Sequence, residues 1–307
     1  MAVRNNNNDN EKKTNVYQIV TNRILDSMMK GVIPWRNTYV KRKGEKARFV
    51  NFVTQKPYSF LNCLLLGEPG EYISFKQIEE KHGHIKKGAK SRMVIYWGEY
   101  IPKEYKDKAK ELEDEGKSFE HLKVRFPKYY LVFNMNDVEG INRQTEEMPQ
   151  MQAAEDPTNV ARMVVSDYKI NEQINVETAP DYDPEYNLKE DRVLIPEKEN
   201  YTYEEDWWAS LFSGLVHSTM TEKRCNRETE QKKMLEGEMS VKEELIGEIG
   251  SSMILSICGL HRKETHEQID AVCQKWIEAM NKDYRLIVSA SYAAEKAAKY
   301  VMGEFAE

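Results

Sequence analysis

An α+β fold in two parts is what the 307 residues predict: a small mixed unit of helices and short strands, then a mainly helical unit with a small sheet of its own. Three observations predict it. The apolar period alternates between helical and strand-like values up to about residue 141, and the helical period dominates from residue 157 onward. Charge also divides the chain, because residues 16–100 hold fifteen Lys and Arg against seven Asp and Glu, a net of about +8 in a chain whose total is −6. Everything outside that window therefore sums to about −14.

The front elements follow in order. Tyr17, Val20, Ile24 and Met28 recur at helical spacing, Thr14 is placed to cap the start, and Gly31 with Pro34 ends the pattern. Lys41-Arg42-Lys43-Gly44 reads as an exposed basic loop, residues 49–53 as a short strand, and 58–66 as a buried helix that stops at Gly67 and Pro69. Ser74 with Gln77 forms a capping box ahead of Ile78. The segment 84–90 reads as a hairpin arm with a basic turn, returning through a strand at 93–97. Residues 103–123 are almost wholly charged and read as a solvated helical insertion, and 129–133 is the next strand. The expected boundaries are a disordered tail at 1–13, a first domain at 14–141, a polar linker at 142–156 and a second domain at 157–307.

The second domain opens with a helix at 157–168 and a strand at 192–195 that Pro196 stops. Thr202 with Glu205 is read as a second capping box, ahead of a helix through Trp207, Trp208, Leu211, Leu215 and Thr219. Ser240 with Glu243 is read as another capping box, opening a helix to Ile257 before Gly259, and helices at 266–280 and 283–302 follow.

No apolar run approaches the roughly 20 residues of a membrane-spanning helix, and the asparagine-rich start has no apolar core of a secretory signal. A cytoplasmic protein without a membrane partner is expected. Cys63, Cys225, Cys258 and Cys273 never form a C-x-x-C pair, so neither a zinc ribbon nor a disulfide framework is indicated. Cations interleaved with rings point instead to unpaired nucleic acid, whose unstacked bases need flat partners and whose phosphates need charge. The candidate contacts are Trp35, Arg36, Lys41, Arg42, Lys43, Arg48, Tyr58, Asn62, Lys76, Lys86, Lys87, Lys90, Arg92 and Trp97. Trp35 follows a helix stop, where a ring is expected to be exposed; of Tyr96 and Trp97, which alternate faces, one is expected in the core. Tyr58 and Asn62 share a helical face at i and i+4, and Lys76 lies in the first turn of its helix.

The ordered run Asn51-Phe52-Val53-Thr54-Gln55-Lys56-Pro57-Tyr58 with Asn62, then Phe75-Lys76-Gln77, Lys86-Lys87-Gly88-Ala89-Lys90, Tyr96-Trp97 and Val132-Phe133-Asn134, resembles the N-terminal domain of the ArdC-like antirestriction family. The resemblance implies sequence-independent binding of single-stranded DNA on a mobile genetic element, in antirestriction or conjugative transfer. It continues through Asp191 to Pro196, Trp207-Trp208-Ala209-Ser210-Leu211-Phe212, Asn226-Arg227 and Glu243-Glu244-Leu245-Ile246-Gly247-Glu248, which implies a zincin-like second domain.

The peptidase signature is degenerate. A zincin helix needs H-E-x-x-H, two imidazoles on one face to hold zinc and a glutamate to activate the bound water. This chain has Ser213-Gly214-Leu215-Val216-His217. By resemblance His217 and Glu244 are the vestigial ligand positions, with Glu248 a turn further on, and neither metal, other cofactor nor catalytic residue is expected. The alternatives are a metal-dependent peptidase with an unusual ligand set, and a module that binds a host restriction or defence protein through the inactive peptidase fold.

Overall fold

The computed structural model describes residues 15–36, 49–142, 156–180, 183–263 and 266–303. Helix α1 (Val16–Met28) is capped by the side chain of Asn15, which accepts from the Tyr17 N–H, and it buries Val20, Ile24, Leu25 and Met28. The cap thus lies one residue after the expected Thr14, which is outside the described residues.

A four-stranded sheet forms the front half in the order β1-β2-β5-β4, from β1 (Phe49–Asn51), β2 (Gly70–Ser74), β4 (Arg92–Tyr100) and β5 (Val124–Asn134). β1 runs parallel to β2 and the other pairs are antiparallel, so β4 and β5 make one long hairpin with Tyr96 opposite Lys128 and Val94 opposite Tyr130. The charged insertion sits between these two strands, and of it only α4 (Lys106–Asp114) is α-helical. Helix α2 (Phe60–Leu66) packs on β4, and α3 (Phe75–Glu80) begins with both halves of the Ser74–Gln77 capping box in place. The expected hairpin of 84–90 with 93–97 is corrected: β3 (His84–Ile85) pairs instead with β6 (Val138–Glu139), a partner more than fifty residues away. Local alternation identified the extended segment but carries no information about so distant a neighbour.

In the rear half α5 (Pro157–Glu172) precedes a three-stranded sheet, β7 (Asn175–Thr178), β9 (Arg192–Ile195) and β8 (Glu185–Asn187), with β9 in the centre. Helices α6 (Glu204–Ser218), α7 (Glu228–Leu235), α8 (Val241–Cys258), α9 (His266–Lys282) and α10 (Leu286–Met302) follow. The Thr202 capping box is also corrected, because Tyr203 holds the N-cap position of α6 and makes no side-chain cap bond. Ser240 does cap α8, accepting from the Glu243 N–H, yet the Glu243 carboxylate does not return to close a box. It turns inward to His217 and Arg227.

One apolar cluster runs through both halves. Val20, Ile24, Met28, Leu61, Leu65 and Ile95 from the front join Leu215, Ile249, Ile254, Ala294 and Ala298 from the rear. Alanines on α10 let it pack closely on α8, and contacts of α1 with α9 and α10 tie the halves together. Among the described residues no helix is long and apolar enough to cross a membrane.

Candidate nucleic-acid interface and the zincin-like cleft

Period-two alternation and the register of β4 with β5 put Tyr96, Tyr130, Lys128, Phe126 and Arg92 on one face of the hairpin. The rings form a row. Tyr58 lies 6.4 Å from Tyr96 between ring centroids, Tyr96 5.6 Å from Tyr130, and Tyr100 5.5 Å from Phe126, over whose ring the Lys128 ammonium sits at 5.1 Å. Tyr96, Tyr100 and Tyr130 each keep 44–51 % of their surface exposed. Tyr58 forms the buried inner end of this row, and burial, with Tyr96 beside it, pushes its phenol well above the ordinary range.

Trp97 occupies the opposite face, yet it is 42 % exposed, so neither member of the Tyr96–Trp97 pair is the core residue the alternation predicted. The cause is the place of β4 at the sheet edge, where rings of both faces reach the rim. Along that rim runs a cleft of about 660 Å³ lined by Lys56, Tyr58, Tyr96, Trp97 and residues of α10.

The other expected contacts divide. Trp35 is fully buried, 5.4 Å from Trp276 of α9 between ring centroids, so its predicted exposure is corrected: the helix stop turns the chain into the core instead of out of it. Arg36 follows it inward, over the Trp276 ring and onto the Glu248 carboxylate. Asn62 is also buried, its amide accepting from the Ile95 N–H at 2.7 Å and donating to the Ile95 carbonyl at 2.8 Å. Lys76, Lys86, Lys87 and Lys90 are exposed, with Lys86 donating to the Asn136 carbonyl and Lys76 3.7 Å from Glu80. Arg92 lies 3.5 Å from Glu68. Lys86, Lys87 and Lys90 precede β4, whose first residue Arg92 is itself five residues, roughly 16 Å of extended strand, from Trp97. Lys41, Arg42, Lys43 and Arg48 lie outside the described residues.

Tyr130, Phe126, Tyr100 and Lys128 were not among the sequence candidates. The sequence identifies strands around residues 93–97 and 129–133, but not their pairing and register, which align the rings.

In the rear half, Ser213, Gly214 and His217 of α6 face α8 across a second, smaller cleft that Glu248 and Arg262 also line. Its donor set does not fit a divalent cation. Nε2 of His217 lies 3.3 Å from the Ser213 hydroxyl, and a Cβ at Gly247 would meet that hydroxyl at 2.6 Å, so backbone of α8 fills the space beside the imidazole. Nδ1 of His217 bonds the Glu243 carboxylate at 2.9 Å, to which Arg227 donates through both Nε and Nη2. Burial alone would raise the Glu243 pKa, but hydrogen bonds from His217 and Arg227 outweigh it and hold the carboxyl below its ordinary value.

Glu244, the expected third position, points elsewhere and pairs with Lys275 at 2.5 Å. The residue before it on the helix meets His217 instead, a difference of about 100° around α8 that spacing alone does not resolve. Glu248 does face the cleft, but Arg36 and Arg262 bind its carboxylate, and their two positive charges depress its pKa against the opposing effect of burial.

The comparisons agree with this architecture. The N-terminal domain of anti-restriction factor ArdC matches residues 14–133, and a zincin-like metallopeptidase domain matches residues 166–293. The chain is 23 % identical over 310 residues to DNA primase TraC of Escherichia coli, covering 95 % of this chain but only 27 % of the primase. It is 22 % identical to the uncharacterized protein y4eC of Sinorhizobium fredii (strain NBRC 101917 / NGR234), with 94 % of this chain and 92 % of that protein covered. Among solved structures, the Mn(II)-bound antirestriction ArdC protein from the R388 plasmid superposes with a TM-score of 0.65 at 24 % identity, over 95 % of this chain and 98 % of that one. Its metal-free form gives 0.62, over 95 % and 97 %. The R388 protein thus shares the fold over nearly the whole length, and the two domain matches, over residues 14–133 and 166–293, place this chain in the ArdC-like antirestriction family.

Proposed function

We propose that this protein binds single-stranded DNA without sequence preference in the cytoplasm of a cell carrying a mobile element, in antirestriction or DNA transfer, and that its peptidase-like half is not hydrolytic. The observation that carries the reading is the exposed row of Tyr96, Tyr130 and Tyr100 with Lys128 among the rings. Every base has a π-face, so a row of rings accepts any sequence, and lysines that meet phosphates add affinity without discrimination. Its similarity to a plasmid antirestriction protein and to a DNA primase supports a role at DNA. For the rear half, the support is the missing first imidazole and general base, together with the two guanidinium groups on Glu248. A role by occupancy follows, in which the protein covers strands and leaves their covalent bonds alone.

Fluorescence anisotropy with matched single- and double-stranded oligonucleotides tests this reading. Single strands are expected to bind at least about tenfold more tightly; with about four phosphate contacts, affinity falls roughly fifty-fold between 50 and 200 mM salt. Tyr96→Ala is expected to weaken binding of all sequences alike by about tenfold, the worth of one stacked base. Equal affinity for duplex, or indifference to both salt and Tyr96, overturns the reading.

A further inference from the structure

The cleft along the free edge of β4 has its second wall in the other half of the molecule. Helix α10 presents Tyr292, Glu295, Lys296 and Lys299 at i, i+3, i+4 and i+7, one helical face, toward Trp97, Tyr58 and Lys56. Tyr292 is 55 % exposed and stands edge-on to Trp97, with ring centroids 6.4 Å apart. Trp97 in turn touches Tyr17 of α1, so rings from three elements meet at the mouth of the cleft. Glu295 fixes the wall in place, accepting from the Phe60 N–H at the start of α2, and it also holds Lys299 at 2.9 Å. Lys296 reaches the Cys225 carbonyl at 3.4 Å, a long contact that a phosphate oxygen can replace. Three lysines against one glutamate leave the lining positive.

We infer that the peptidase-like half supplies part of the DNA seat: Tyr292 with Trp97 takes an unstacked base at the mouth of the cleft, and Lys296, Lys299 and Lys56 take the flanking phosphates. This rests on the single-strand reading above and adds a composite site to it. An aromatic pair that is edge-on and half exposed on both members offers a flat face to an incoming base without first being pulled out of a core. Positive charge on both walls favours a polyanion threaded between them over an acidic or neutral peptide. A duplex does not fit the same seat, since its bases are already stacked on each other and have no face to offer Tyr292.

The test uses the full chain and a fluorescent oligo-dT of fifteen nucleotides. Tyr292→Ala is expected to lose about tenfold in affinity, and the double variant Lys296→Ala with Lys299→Ala to make the slope of log K against log salt shallower by about 1.4. Photocrosslinking of the unaltered protein to a bromouracil-substituted strand, a measurement that does not depend on a variant folding, is expected to label the peptide containing Tyr292. If Tyr96→Ala weakens binding while both α10 variants bind as the parent does and no crosslink maps to α10, the composite seat is wrong and the single-strand reading stands. If Tyr96→Ala is silent as well and binding is indifferent to salt, both fall.

Discussion

Asn62 closes a strand edge. No strand among the described residues pairs with the outer side of β4, so the Ile95 N–H and carbonyl would face a buried helix without partners, and the Asn62 amide supplies one acceptor and one donor where another strand would. Its side chain thus belongs to the fold, although an amide one helical turn from Tyr58 reads from the sequence as part of a DNA platform. Asn62→Ala removes both bonds at once and strands two buried backbone groups. The expected cost is about 2–3 kcal/mol in urea denaturation, and at temperatures where the variant is folded its affinity for single strands stays within about twofold of the parent. Asn62→Asp keeps the acceptor, loses the donor and adds a buried charge, so it is expected to destabilise at least as much. A variant with unchanged stability but tenfold weaker binding would return Asn62 to the interface.

Three separate elements are fastened by Arg224, whose side chain is fully buried. It donates to Glu172 at the end of α5, to both carboxylate oxygens of Asp191 ahead of β9, and to the Ser218 carbonyl at the end of α6. Burial acts to raise the Asp191 pKa, but hydrogen bonds from Arg224, Lys223 and Tyr186 outweigh it and lower the value from 3.8 to about 2. The folded state therefore binds this proton less readily than the unfolded chain, and the stabilisation is complete above the unfolded value and lost as pH falls through about 2. The difference in unfolding free energy between the parent and Asp191→Asn should be constant from pH 7 to about pH 5 and shrink as pH falls to 2; a constant difference over the whole range would show that Asp191 is not held ionised by this network. Elements such as α1, α2, α8 and α10 were legible in the sequence because their apolar residues recur at the helical period and their ends carry local stop signals. What lay outside reach was pairing at a distance: β3 with β6, Asp191 with Arg224, and the β4–β5 register that lines up Tyr96, Tyr130 and Lys128. The candidate interface was legible in its ingredients, rings and lysines in the first hundred residues, but Trp35 and Tyr96 have the same composition-level signature and opposite fates. Burial decides between them, and burial is set by neighbours far along the chain.

At the scale of the whole molecule, Trp35 and Arg36 act as a pin driven from the front half into the rear. Trp35 packs on Trp276, Arg36 crosses the same indole, and its guanidinium joins that of Arg262 on the Glu248 carboxylate. Two cations thus stand at the carboxylate that lines the zincin-like cleft, and they favour its ionised form as a bound metal would. Rebuilding the motif alone is then not enough. Ser213→His with Gly214→Glu restores the letters of H-E-x-x-H, but a Cβ at position 214 meets Cγ1 of Val193 at 2.6 Å, and Glu248 remains bound by both arginines. Elemental analysis after dialysis against Mn(II) or Zn(II) is expected to find well under one equivalent in that double variant. Adding Val193→Ala, to make room beneath the new glutamate, and Arg262→Ala, to release one side of Glu248, is expected to raise the content toward one per chain. Arg36→Ala is the less suitable change, because it also loosens the pin, while Arg262 still holds Glu248. Stoichiometric metal in the simple double variant would show that the guanidinium pair yields readily, and that the two ligand positions alone decide whether the cleft holds a metal.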